Sequence, residues 1–98
     1  MQENDKRLKQ LIYDLMNGSL DTEHYPVGAS KYVKNEFSEG TFCKRAYAEV
    51  FKANLRLCER LGVQEDRDVE TIINNLLDIG EYLSMKMYDY GVLFSRRQ

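Results

Sequence analysis

The sequence predicts an all-α fold: a small bundle of three to four helices with a long helical hairpin in its C-terminal half. Apolar residues recur at steps of three and four along most of the chain, with no sustained alternation of the kind a strand requires. The segment from Leu55 to Ile73 holds a helix stop, an acidic turn and a helix start in direct succession, which is the pattern of a helical hairpin. At 98 residues and 43% hydrophobic content, the chain fits one domain over 1–98 that buries a core without a metal or disulfide staple.

Leu8, Leu11, Ile12, Leu15 and Met16 place a first helix over 5–17, stopped by Asn17-Gly18. From Gly18 to Ser30 the composition shifts to Gly, Ser, Asp, His and Pro, and Pro26 disfavours helix at Tyr25, so 18–30 reads as a connection crossing the surface. Leu20, Tyr25 and Val27 are its candidate anchors, although a loop this long is also a common place for function. Ser30 is the expected cap of a short helix that runs through 31–37 and ends near Glu39-Gly40, with Val33 and Phe37 on one face.

Thr41 then caps a long helix to Leu61 with the seam Cys43, Tyr47, Val50, Asn54, Leu57 and Leu61, and Gly62 takes the left-handed conformation that ends it. Asp66 or Asp68 caps the last helix, whose seam is Val69, Ile73, Leu76, Gly80, Leu83, Met87, Tyr90 and Phe94, flanked by Ile72, Leu77 and Ile79. These two seams are expected to face each other as the core. Gly80 within the second seam costs about 1 kcal/mol of helix propensity, which points either to close approach of a neighbouring helix or to a kink. Asn54 in the first seam is expected to fix register through a buried hydrogen bond.

Catalysis needs a nucleophile, a base or a metal set in compatible places, and the chain has one histidine, His24, in the 18–30 loop. Cys43 sits on a core seam, where cysteine behaves as a small hydrophobe rather than a thiolate partner for His24. The Cys-x-x-Cys, His-Glu-x-x-His, P-loop, Gly-x-Gly-x-x-Gly and Gly-x-Ser-x-Gly patterns are absent. Glu65, Asp66, Asp68 and Glu70 form a carboxylate cluster too short for a calcium loop, and favourable interaction with a helix N-terminus explains it. The expectation is a non-enzymatic chain with no catalytic, metal or cofactor site.

Cys43 and Cys58 lie on one helix, about 22 Å apart, against the roughly 4 to 7 Å Cα spacing of a disulfide, so they are expected to be reduced. With a start lacking a signal peptide's apolar segment and no apolar run near the roughly 20 residues of a membrane span, this predicts a cytoplasmic address. A net charge of −2 gives no global attraction to nucleic acid. Locally, Arg45, Lys52, Arg56 and Arg60 share the helix face opposite the seam, but Glu49 and Glu59 lie on the same arc and mute the field. Residues 41–62 carry five basic and two acidic side chains, whereas 63–90 carry two and seven, so the hairpin's arms complement each other. Nucleic-acid binding through Lys52, Arg56 and Arg60 is therefore the alternative reading.

Seven tyrosines and no tryptophan concentrate attention on the last helix, where Tyr82, Met85 and Tyr88 lie off the tightest stripe. Tyr and Met are favoured on surfaces that adapt to a partner, which makes this trio the candidate protein-interaction site; covering a fourth helix within the chain is the other reading, and a bundle this small favours it.

Three strings, Cys-Lys-Arg-Ala-Tyr-Ala-Glu-Val-Phe at 43–51, Leu55 through Glu70, and Lys-Met-Tyr-Asp-Tyr-Gly at 86–91, together resemble small proteins encoded by clostridial gut bacteria. Some members of that group travel on large conjugative transposons. The resemblance covers 43–91 and implies a mobile-element accessory protein; it carries over no catalytic or binding residue. The function expected is a helical protein-interaction module, with its oligomeric state left open by a spacing that serves a bundle and a dimer equally.

Overall fold

The computed structural model describes residues 3–20 and 28–96. Three α-helices account for most of them: α1 (Glu3–Met16), α2 (Phe42–Leu61) and α3 (Arg67–Ser95), with a short 3₁₀ helix at Gly28–Lys31 and no strand among the described residues. The helix boundaries follow local chemistry. Thr41 accepts a hydrogen bond from the Lys44 N–H at the start of α2, and Asp66, in extended backbone, accepts one from the Val69 N–H at the start of α3. Gly62, at φ 73°, closes α2 by donating its N–H to the Cys58 and Glu59 carbonyls.

The expected helix over 31–37 does not form. Beyond Lys31 the chain leaves helical geometry, and the Asn35 side chain accepts the Phe37 N–H at 2.8 Å while the Glu36 N–H reaches back to the Met16 carbonyl at 2.7 Å. Both bonds offer the backbone a partner that helix would have required elsewhere. Phe37 then meets Tyr47 edge-on, ring centroids 6.3 Å apart, and so joins the loop to α2. His24, Tyr25, Pro26 and Val27 lie outside the described residues.

Gly18 is the other end of this clasp. Its φ of 78° is left-handed, and a Cβ there would come within 2.8 Å of the Asn35 amide group, which already holds Phe37. Gly18→Ala is therefore expected to cost about 1–2 kcal/mol, since it adds left-handed strain to displacement of Asn35. A chemical-denaturation midpoint indistinguishable from that of the parent chain would refute this.

α3 is the spine. Lys9 of α1 contacts Asp89, and Tyr13, one turn later, shares a cleft with Leu77 and Glu81, so α1 runs antiparallel to α3. Tyr47 of α2 borders the same cleft, which places α2 antiparallel along the N-terminal half of α3. The closest packing is α1 on α3, not α2 on α3 as the two facing seams predict; the α2 and α3 backbones rarely approach within 8 Å. Among the described residues only Leu15 and Cys58 are buried. The radius of gyration is 17.0 Å, against about 13 Å for a compact domain of this length, and the longest dimension is 55 Å.

Asn54 is half-buried, but its bond is to the Cys58 thiol one turn along the same helix, at 3.4 Å, so it does not set register between helices. Cys43 and Cys58 are both free thiols. Among the described residues, no helix is long and apolar enough to cross a membrane.

Candidate functional site

α3 is apolar on two sides, and its neighbours use only one of them. Taken at about 100° per residue, Ile73, Leu77, Glu81, Ser84, Tyr88 and Val92 fall on one arc. Most of these are half-buried, as is Met85 beside them. This arc faces α1 and α2. On the opposite side Ile72, Leu76, Ile79, Leu83, Met87, Tyr90 and Phe94 form a straight stripe, and each is between 53% and 75% exposed.

The sequence seam of α3 is thus divided. Val69 and Ile73 are half-buried, whereas Leu76, Leu83, Met87, Tyr90 and Phe94, expected in the core, face solvent. α1 and α2 pack on the arc from Ile73 to Val92, and this leaves Leu76, Leu83, Met87, Tyr90 and Phe94 on the uncovered side of the helix. Gly80 lies at the stripe's edge within an unbroken helix, and its missing side chain faces open space, with no described side chain within 4 Å. Close approach by a neighbouring helix of the same chain therefore does not explain it. Ser84 bonds back to the Gly80 carbonyl at 2.8 Å, a local partner for the serine hydroxyl within the helix.

The trio singled out for partner contact is split by the same geometry. Tyr82 is exposed at the margin of the stripe, with the Lys86 ammonium 5.7 Å from its ring centre. Met85 and Tyr88 are half-buried on the side that carries α1. The stripe itself is the larger feature, and its signal was present in the sequence as the most regular three-and-four spacing in the chain. That spacing identifies an apolar face without saying what covers it.

On α2, Lys52, Arg56 and Arg60 are all exposed along one outer face, and Lys52 lies 3.8 Å from Glu49. Arg45 is held at the start of the helix by its bond to the Gly40 carbonyl.

An open cleft of about 440 Å³ lies where α1, the 35–41 segment, α2 and α3 meet. Tyr13, Phe37, Tyr47 and Leu77 make its apolar walls, and Asp78 and Glu81 border it. Two carboxylates on one side of an aromatic cleft give it a negative rim, and Asn17 and Ser19 complete its lining. Among the described residues, no three His, Cys, Asp or Glu side chains converge as a metal-binding group. No family model, curated protein or solved structure matches the chain.

Proposed function

We propose that this chain is a helical protein-interaction module, acting through the outer stripe of α3 rather than through chemistry of its own. One observation carries the reading: seven large apolar side chains in register on one helix face, all more than half exposed. Solvent-facing apolar patches of this continuity mark interaction sites. The stripe is also poor in charge. Between Ile72 and Phe94 the ionisable acids and bases are Asp78, Glu81, Lys86 and Asp89, and only Lys86 points within a quarter turn of the stripe. An accessory role for a mobile element is the setting that the resemblance of 43–91 supports.

A photo-crosslinking benzophenone side chain at position 83 tests this in the native host. Substantial capture of polypeptide is expected there, compared with little at Asn74, which is exposed on another face. Equal yields at the two positions would refute the reading.

The exposed line of Lys52, Arg56 and Arg60 favours a second reading, nucleic-acid binding. Three phosphate contacts would make duplex affinity fall about 40-fold between 50 and 200 mM salt. A flat salt response, or affinity unchanged by Arg56→Ala with Arg60→Ala, would remove this alternative.

A further inference from the structure

The stripe on α3 has a spacing that lets it pair with its own copy. Its positions, 72, 76, 79, 83, 87, 90 and 94, are spaced 4-3-4-4-3-4, a series that reads the same in both directions about Leu83. Reversing the helix therefore sets Ile72 opposite Phe94, Leu76 opposite Tyr90, Ile79 opposite Met87 and Leu83 opposite itself. Such a face meets the requirement of an isologous two-fold contact, in which residue i touches j and j touches i. The spacing is also two 11-residue repeats, 72 to 83 and 83 to 94, which keep the stripe nearly parallel to the axis of a straight helix over about 33 Å.

The surface area supports the same occupant. The chain exposes 8309 Å², whereas a compact monomer of 11.5 kDa exposes about 5,800 Å². Seven large side chains at these exposures leave on the order of 800 Å² on the stripe, about one partner's share of a standard stable interface. The approach is open, because α1 and α2 pack on the opposite arc of α3. The single lysine beside the stripe leaves no block of like charge across the two-fold axis.

We infer that the stripe pairs with a second copy of this chain, α3 antiparallel to α3, with the two-fold axis at Leu83. This rests on the interaction-module reading and specifies its partner. The two copies form a four-arm assembly with both α3 helices at its centre, α1 and α2 of each copy outside them.

The test uses the full chain in sedimentation equilibrium and in cysteine crosslinking, with Cys43→Ala and Cys58→Ala as background. A mass of about 23 kDa, twice 11.5 kDa, is expected. Leu83→Glu places two carboxylates together at the axis and is expected to raise the dimer dissociation constant about 100-fold or more, with helical circular dichroism retained. Leu83→Cys is expected to bridge to its own mate on oxidation. Leu76→Cys is not, because antiparallel pairing separates it from its copy by about 21 Å along the axis. Bridging through position 76, or a dimer indifferent to Leu83→Glu, would overturn the antiparallel contact. A monomer that binds an apolar dye through the stripe would overturn the second copy while leaving the interaction module intact. A compact monomer that neither binds dye nor crosslinks at position 83 would sink both.

Discussion

Leu15→Ala is expected to destabilise the fold by about 2–4 kcal/mol, the largest effect of any single truncation in α1. Leu15 is 4% exposed and is one of two buried side chains among the described residues, the other being Cys58. It lies on the apolar face of α1 between Lys9, which contacts α3, and Met16, whose carbonyl receives the Glu36 N–H. Truncation therefore removes both buried area and the support of the 16–36 clasp. In an open structure the surroundings can relax into the space, which keeps the cost below the top of the usual Leu→Ala range. Leu8→Ala, on the same helix but 43% exposed, is the comparison, with a cost expected at less than half as much. Urea unfolding of both variants at one fixed protein concentration reads the difference. Equal midpoint shifts would mean that the burial of Leu15 is not what holds α1 in place.

The elements legible in the sequence are those whose cause is local. Thr41 and Asp66 cap their helices because a short polar side chain can reach an N–H three residues on, and Gly62 ends α2 because the left-handed conformation suits it. The helix expected over 31–37 failed for a local reason that apolar spacing does not display. Asn35 offers its side-chain oxygen to Phe37, and the competing turn is fastened from a distance by Met16.

The candidate site was half legible. Its residues stand out by spacing, with Leu76, Leu83, Met87, Tyr90 and Phe94 all in the seam read from the sequence. Their placement depends on which side of α3 receives α1, and that is decided by partners far away in the chain. A helix apolar on two sides carries no internal mark to say which side is core. The same ambiguity drew attention to Tyr82, Met85 and Tyr88 as the surface, although Met85 and Tyr88 are half-buried. The spacing that allows self-pairing about Leu83 is common to regular helix seams, and it bears on partners only because this stripe faces outward.

The contact that orients α1 gives the second large effect. Lys9 reaches Asp89 across 80 residues of sequence, with its ammonium 3.0 and 3.2 Å from the two carboxylate oxygens. The lysine side chain is 13% exposed and the aspartate 27%, so water screens this pair less than the Glu49–Lys52 pair, at 71% and 62%. Lys9→Met and Asp89→Asn are each expected to cost about 1.5–3 kcal/mol, because each leaves a partly desolvated partner without its charge-assisted bond. The double variant should cost little more than either alone, since it leaves no unpaired charge behind. Double-mutant unfolding cycles measure that coupling, and additivity within about 0.5 kcal/mol would show that the pair does not act as a unit. Amide exchange adds a spatial test. Loss of the pair should speed exchange in α1 while leaving the capped turn from Gly62 to Asp66 unchanged, because that turn is held by its own bonds to Cys58, Glu59 and Val69. Uniform acceleration across all three helices would instead mean that α1 and the hairpin unfold as one cooperative body.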